Sequence, residues 1–227
     1  MTVVAIDGPS GSGKSTISRQ VAQQLGMAYL DTGAMYRAAA WWCVRDGIDL
    51  SDADAVTDAV RALPLQMGTD PRDPSIAVGG EDVSVLIRST EISTVVSAVA
   101  TNLEVRAELR RRQREIIEAA RGEAGIVAEG RDITTVGAPD ADVRILLVAS
   151  EEARLARRAR EIHGADDDSA LAATRDQVLR RDADDATVSS FHVAADGVVT
   201  VDSSDLTLEE TVAAVRGLVE SRQDGRP

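Results

Sequence analysis

The chain has 227 residues, 44% of them hydrophobic, which is enough for one sizeable domain with a buried core and somewhat short for two independent enzymatic domains. Its net charge of -13 argues against a nucleic-acid polymer as partner, because nonspecific affinity for DNA or RNA comes mostly from neutralising phosphates. Cys43 is the single cysteine, which excludes an internal disulfide, and the absence of a signal-like or spanning apolar segment predicts a soluble, cytoplasmic protein with no membrane partner.

The first predicted elements surround the stretch "VVAIDGPSGSGKST", residues 3–16. Its first four residues are apolar and predict a buried strand, and the helical spacing of Ile17, Val21 and Leu25 predicts a helix directly after it. Between them Gly8 to Ser15 fit the Walker A pattern G-x-x-x-x-G-K-S, in which backbone N–H groups and a helix N-terminus bind phosphates. The sequence therefore predicts a nucleoside triphosphate site with Mg²⁺, formed by Gly8, Ser10, Gly11, Ser12, Gly13, Lys14, Ser15 and Thr16. Lys14 reaches the outer phosphates and the Ser15 hydroxyl holds the metal ion.

The second motif is "LDTGAMYR", residues 30–37, where a strand ends and a helix over 34–46 begins. Taken alone, Asp31 and Thr32 are most simply helix caps and Arg37 a solvated cation. If the glycine loop binds a nucleotide for transfer, however, a second phosphate group must be bound, and arginine supplies rigid bidentate donors. The motif therefore makes Arg37 a candidate ligand of an acceptor phosphate.

A helix is predicted at 52–62, and the segment 64–88 that follows breaks the alternation of strands and helices. This segment contains prolines, a Gly-Gly pair and short alternating apolar runs, which are typical of a small antiparallel β unit inserted into a larger fold. A long decorated loop is the alternative interpretation.

The third motif, "EGRDITT" at 129–135, follows a helix predicted at 102–121 and a buried strand at 126–130. In open parallel sheets, ligands bind at the carboxyl ends of the strands. There Arg131 is suited to bind phosphate, Asp132 to accept hydrogen bonds from a base or sugar, and Glu129 to order water bound to magnesium. The simpler alternative is a local Arg-Asp pair at a strand-to-turn connection.

Two further strands are predicted at 143–150 and 198–204, and helices at 151–162, 170–183 and 207–221. Short apolar runs that alternate with amphipathic segments favour the α/β class, with a parallel sheet wrapped by helices. The basic helix from 151 is suited to a mobile lid that places cations over a triphosphate. Most other arginines are expected on solvated helix faces, as in the pairs Glu108 with Arg112 and Arg111 with Glu115.

Taken together, the motifs "IDGPSGSGKST", "LDTGAMYR", "GEDVSVLIR", "EGRDITTV", "PDADV" and "RRDADD" resemble those of bacterial cytidylate kinases of the long type, in the same order along almost the whole chain. The resemblance implies a P-loop NTPase-type sheet with the small β insert in a monophosphate-binding domain, and a short helical lid. It divides the chain into core segments 1–31, 105–150 and 171–227, a monophosphate-binding domain at 32–104 and a lid at 151–170. It also implies transfer of the γ-phosphoryl group of ATP to CMP or dCMP.

Site roles follow from the resemblance, residue by residue. The CMP-binding set is Thr32, Tyr36, Arg37, Ser97, Arg106, Arg131, Asp132, Arg181 and Asp185, in which Ser97, Arg106 and Asp132 contact the cytosine. Arg154, Arg157 and Arg158 are the lid cations, with Arg157 assigned to ATP. The catalytic set is Lys14, Arg131, Arg154 and Arg158, and no catalytic base is expected, so His163 and His192 have no role.

The chain also departs from the family pattern. Val188 occupies a position where an arginine usually follows the second aspartate, Thr134 replaces a typical glycine, and Ala138 stands where an aromatic residue often occurs. An apolar side chain cannot replace a guanidinium, so three outcomes are open: compensation by Arg180, weaker acceptor binding, or a protein that has drifted from efficient catalysis. Two other functions therefore stay open, a P-loop kinase for another small acceptor and a noncatalytic nucleotide-responsive binding protein. No heptad pattern or large apolar stripe is evident, and we expect a monomer.

Overall fold

A five-stranded parallel sheet forms the centre of the protein in the computed structural model, which describes residues 1–164 and 167–225. For Glu161, His163, Asp168, Ala173, Asp176, Gln177, Arg181 and Asp224 it describes the backbone only. The strands are β1 (Val3–Asp7), β2 (Ala28–Asp31), β6 (Ile126–Gly130), β7 (Val143–Val148) and β8 (Val199–Asp202), in the spatial order β2-β6-β1-β7-β8. Every residue of β1 and β6 is buried. This is expected for central strands of a parallel sheet that is covered by helices on both faces.

Eight helices connect and flank the strands within the described residues. They are α1 (Lys14–Leu25), α2 (Thr32–Arg45), α3 (Ala53–Ala62), α4 (Thr90–Ala100), α5 (Leu103–Arg121), α6 (Glu151–His163), α7 (Asp168–Ala186) and α8 (Leu208–Asp224). The α/β prediction and the predicted helices and strands are confirmed, with ends that differ by a few residues. Helix α4 is present in the structure but was not predicted from the sequence. The predicted lid segment 151–170 includes Ala165 and Asp166, which lie outside the described residues.

The segment 64–88 folds as a small antiparallel sheet, as predicted. Its strands are β3 (Leu65–Met67), β4 (Ile76–Val78) and β5 (Glu81–Asp82), in that spatial order. Ile76, Val78 and Ile87 are buried in the same hydrophobic cluster as the inward face of α2. Because the unit is packed onto the core by these side chains, it forms one wall of the cleft described below.

The carboxyl ends of the strands meet at one edge of the large sheet. Parallel pairing places Asp31 beside Glu129, and Asp7 beside Gly130 and Leu146. Three segments therefore start side by side at this edge: the loop after β1, helix α2 and the turn after β6. Within the described residues, no helix is both long enough and apolar enough to cross a bilayer.

Candidate nucleotide-binding cleft

The glycine loop between β1 and α1 is packed directly against its neighbours. Gly11 adopts a φ of +76°, and a Cβ atom there would lie 2.5 Å from the backbone oxygen of Arg154 in α6. A Cβ at Gly8 would collide with the carbonyl oxygen of Leu147 at the end of β7. Glycine is therefore required at both positions, and the loop backbone lies against β7 and the basic helix α6.

Lys14 is the first residue of α1, and its side chain is buried. Its Nζ donates a hydrogen bond to the carbonyl oxygen of Pro9 at 2.9 Å, which holds the ammonium group across the mouth of the loop. The loop thus has the strand, loop and helix order that a phosphate cradle needs, with a cation at its open side.

Glu129 lies at the end of β6, and its carboxyl group is buried beside this loop. It accepts a hydrogen bond from the Tyr29 hydroxyl at 3.1 Å and a second one from the Ser15 side chain. Burial, and then the negative charge of Asp31, raise the pKa of Glu129 to about 7, against the opposing effect of Lys14. A carboxyl group with this pKa favours a nearby cation, because a bound positive charge relieves the cost of ionising it.

The oxygen atoms of Ser15 and Glu129 fit a magnesium ion. Both are hard oxygen donors, and they lie within hydrogen-bond reach of each other at the open side of the loop. Within the described part of the chain, no group of three or more Asp, Glu, His or Cys side chains is able to hold a metal ion. Mg²⁺ commonly takes only one or two protein oxygens and completes its shell with phosphates and water, so two oxygen donors are sufficient.

Four arginines from separate elements lie close together in the cleft: Arg37, Arg88, Arg131 and Arg158. Burial and, after it, the positive charges of Arg158, Arg88 and Arg131 lower the pKa of Arg37 to about 10, whereas the negative charge of Asp31 opposes them. The guanidinium of Arg37 is oriented by the Ser93 hydroxyl at 2.9 Å and the carbonyl oxygen of Ile87 at 3.3 Å. A cluster of guanidinium groups, in which the pKa of Arg37 is lowered, is the expected surroundings of a bound polyanion.

Sequence reasoning missed Arg88 as a member of this cluster. It lies at the end of "GEDVSVLIR", which was identified only as a motif of the insert. Its guanidinium lies 3.6 Å from the carboxylate of Asp31, and the side chain is 60% exposed. The signal that could have found it is the basic residue that directly follows the apolar run 85–87.

Arg131 connects the turn after β6 to the loop and to α7. Its Nε donates to Asp185 at 2.5 Å, and one terminal nitrogen donates to the carbonyl oxygen of Gly8 at 3.3 Å. The structure therefore brings Arg131 and Asp185 together with the loop. For Arg181 the side chain lies outside the described part of the chain, so its predicted contact with CMP stays a prediction.

Asp182 is the second residue that sequence reasoning missed. Its buried carboxylate accepts the backbone N–H of Ser10 at 2.9 Å and the guanidinium of Arg154 at 2.5 Å, and it lies 3.8 Å from Arg131. Arg154 also donates to the carbonyl oxygen of Ser10. In this conformation Arg154 therefore supports the loop from behind and does not line the cleft, so its predicted catalytic role stays a prediction.

The other two lid arginines lie closer to open space. Arg157 donates to the carbonyl oxygen of Ser12 at 3.3 Å and to the side chain and backbone of Ser203. Arg158 lines both of the cavities that adjoin the loop. The backbone of His163 ends α6, its side chain is outside the described residues, and His192 is exposed and stacked on Phe191 at 4.5 Å between ring centroids.

The far end of the cleft is lined by Asp132, Arg106 and Tyr36. Arg106 donates to the Asp132 carboxylate at 2.7 Å, and its guanidinium lies 5.6 Å from the centre of the Tyr36 ring. Thr32 lines the same cavity, where its hydroxyl donates to the backbone of Glu129. Ser97 is half-buried on α4 and does not line this cavity, so its predicted contact with cytosine stays a prediction.

Two cavities meet at the glycine loop. The larger measures about 650 Å³ and extends from the loop past Arg37 and Arg131 to Asp132. The second measures about 630 Å³ and lies between α6 and residues 204–211. Gly11, Gly13, Thr16 and Arg158 line both of them, so two ligands are able to meet at the loop.

The unusual residue Thr134 has a structural role. Its backbone N–H and hydroxyl both donate to the carboxylate of Asp7 at the end of β1, and the Ile133 N–H adds a third hydrogen bond. Burial raises the pKa of Asp7, and these hydrogen bonds partly oppose that rise. Ala138 is fully buried in the core and has no contact with the cleft.

Known proteins resemble this chain over almost its entire length. The family model for cytidylate kinase matches residues 4–221. The cytidylate kinase of Streptomyces avermitilis is 48% identical over 222 residues, which cover 97% of this chain and 94% of that protein. Those of Nocardia farcinica (49% identity, covering 92% of this chain and 90% of that protein) and Mycobacterium avium (45%, covering 98% and 96%) are similar to it as well. The similarity therefore includes every element that lines the cleft.

Proposed function

Because the chain belongs to the cytidylate kinase family, it is an ATP-dependent nucleoside monophosphate kinase, and we propose that its cleft transfers the γ-phosphoryl group of ATP to CMP or dCMP, giving CDP or dCDP. The observation that supports this most strongly is that Lys14, Arg37 and Arg131 line one cavity with the glycine loop at one end and Asp132 at the other. Such a cavity suits an acceptor nucleotide whose phosphate faces the phosphates bound by the glycine loop.

On the donor side, we assign the triphosphate of ATP to the glycine loop and its nucleoside to the second cavity. The N–H groups of the loop, Lys14 and the α1 N-terminus supply the phosphate contacts. Arg158 lies where the two cavities meet, which suits a cation above the β- and γ-phosphates. Arg157, at the boundary with Ser203, suits a contact nearer the nucleoside.

We assign Mg²⁺ to the Ser15 hydroxyl and, through water, to the carboxylate of Glu129. A magnesium ion held by these residues would neutralise charge that develops on the transferring group. The chain's own contribution is to hold two oxygen donors next to the cation Lys14.

On the acceptor side, Arg37 and Arg131 are placed to bind the phosphate of CMP, with Arg88 as an additional cation from the insert. Asp185 suits a ribose hydroxyl, because it lines the cavity between Arg131 and the base end. Asp132 and Arg106 suit the cytosine, which offers an amino group for the carboxylate and acceptor atoms for the guanidinium. Residues 32–104 are then the monophosphate-binding domain.

The reaction needs alignment and charge stabilisation more than proton transfer. A phosphate monoester is already nucleophilic at neutral pH, and the transition state spreads negative charge over the oxygens of the transferring group. Fixed guanidinium and ammonium groups at that point stabilise the transition state without reorganising. We therefore assign this role to Lys14, Arg131 and Arg158.

The test is ADP production with ATP and Mg²⁺ across CMP, dCMP, UMP, AMP and shikimate. Preferred turnover of CMP or dCMP supports the proposal. Another preferred acceptor indicates a different P-loop kinase, and ATP binding without acceptor-dependent turnover indicates a nucleotide-responsive binding protein. Lys14→Ala should abolish turnover while the circular dichroism spectrum stays unchanged, and an active variant would mean that the donor site is misplaced.

A further inference from the structure

Two arginines of α5, one helical turn apart, hold the same carboxylate at the base end of the cleft. A terminal nitrogen of Arg106 donates to Oδ2 of Asp132 at 2.7 Å. Arg110 donates to the same oxygen twice, from Nε at 3.1 Å and from a terminal nitrogen at 2.5 Å. Oδ2 therefore receives three donors, and within the described residues Oδ1 receives no hydrogen bond.

The two arginines differ in their other contacts. Arg106 is buried and also donates to the carbonyl oxygen of Ala100 and the hydroxyl of Ser189, both at 2.9 Å. Arg110 does not line the cavity, and within the described part of the chain its hydrogen bonds all end on Asp132. Its side chain therefore acts on the cleft only through that carboxylate.

This arrangement presents one acceptor and one donor to a base. Oδ1 of Asp132 is the acceptor, and the guanidinium group of Arg106, which lines the same cavity, is the donor. Cytosine offers the complementary pair, an amino group at C4 and an unprotonated ring nitrogen N3. Uracil reverses the pair with a carbonyl oxygen at C4 and an N–H at N3, so a carboxylate fixed opposite the C4 position repels it.

A carboxylate with a single anchor is able to turn about its Cβ–Cγ bond and accept the N–H of uracil instead. We propose that Arg110 is the positioning residue that prevents this, so that it sets the preference for cytosine over uracil without touching the substrate. The inference rests on the proposed function, because it places the base of the acceptor against Asp132.

The experiment compares steady-state kinetics of the Arg110→Met variant with CMP and with UMP. The ratio of kcat/KM for CMP to that for UMP is expected to fall roughly 10-fold, which is the size of effect that a hydrogen bond to a charged group has on discrimination. The loss should appear as a higher KM for CMP, while kcat at saturating CMP stays within about twofold, since the phosphate-binding groups are untouched.

The Arg111→Met variant is the matched control on the next residue of α5. Arg111 is exposed and pairs with Glu108 and Glu115 on the helix surface, so its loss should leave the CMP to UMP ratio unchanged. General damage to the fold would lower turnover of CMP and UMP together and would not change their ratio.

An Arg110→Met variant that keeps the wild-type ratio, or in which both substrates decline in parallel, overturns the inference. This outcome is distinct from failure of the proposed function, because that failure would appear in the wild-type enzyme as the absence of preferred CMP or dCMP turnover. Equal loss of the ratio in the Arg110→Met and Arg111→Met variants also overturns the inference, because it would assign the effect to the helix and not to the contact with Asp132.

Discussion

The buried carboxyl group of Glu129 gives the sharpest prediction about stability. Its pKa is raised from 4.5 to about 7, so the folded protein binds this proton more tightly than the unfolded chain does. By linkage, the free energy of unfolding then falls as the pH rises from about 4.5 to about 7, and the full penalty is present above that range. The interval corresponds to about 3 kcal/mol, because each pH unit is worth about 1.4 kcal/mol.

The Glu129→Gln variant keeps the shape of the side chain and removes this penalty. In the absence of Mg²⁺ and nucleotide, it should be more stable than the wild type by about 3 kcal/mol at pH 8 and by about 1 kcal/mol at pH 5. Its turnover with MgATP and CMP should nevertheless fall roughly 10- to 100-fold, as when a group that orders metal-bound water is lost. This pair of results would mean that the wild type keeps a destabilising carboxyl group because catalysis needs it.

The assay is urea-induced unfolding of both proteins at pH 5 and pH 8, with turnover measured in parallel. Glu91→Gln, an exposed glutamate on α4, is the matched control and should change neither quantity. A variant that is equally stabilised at both pH values, or less stable than the wild type at pH 8, would refute the reasoning about Glu129.

Three further predictions concern the loop and the acceptor site. Asp182→Ala should lower the free energy of unfolding by about 3 kcal/mol, because it leaves Arg154 buried without its anion. In the same urea assay, the control variant Asp184→Ala, two residues further along α7, should have little effect. Equal losses of stability in the two variants would contradict the role of Asp182. Gly11→Ala should raise the KM for ATP at least roughly 10-fold, because the new Cβ would lie 2.5 Å from the Arg154 backbone and displace the loop. An unchanged KM for ATP would mean that the loop accommodates the methyl group. Val188→Arg should lower the KM for CMP if the missing guanidinium weakens acceptor binding, and an unchanged KM would make that departure irrelevant.

The sequence predicted the class of fold and the order of its elements because their patterns are local. The apolar run before Gly8, the Walker A spacing and the charges after β6 each contain their own signal. Once a parallel sheet is inferred, its geometry places these strand ends together. That is why Lys14, Arg37 and Arg131 were predicted as one site before their positions were known.

Helix α4 was missed because its sequence, "TEISTVVSAVA", is rich in β-branched residues that lower helix propensity. The helix forms because Ser89 caps its first turn and because Ile92, Val96 and Val99 are buried against the core. Such stabilisation depends on tertiary packing, which no local pattern in this segment shows.

Asp182, Arg88 and Arg110 were missed for a different reason. Each acts through partners distant in the sequence: Asp182 contacts Ser10, Arg88 lies beside Asp31, and Arg110 holds Asp132. In the sequence they are only charged residues in or beside charged segments. Their roles follow from the folded arrangement, which places each of them within 4 Å of an oppositely charged side chain.

The central claim is that donor and acceptor phosphates meet in one cleft. Its most direct test is the binding of an adenosine and a cytidine joined by five phosphates, measured by calorimetry and by competition with ATP and with CMP. We predict that this compound displaces both nucleotides, binds at least roughly 10-fold more tightly than either, and is weakened by Arg37→Ala. A compound that displaces ATP but leaves CMP bound would contradict the claim.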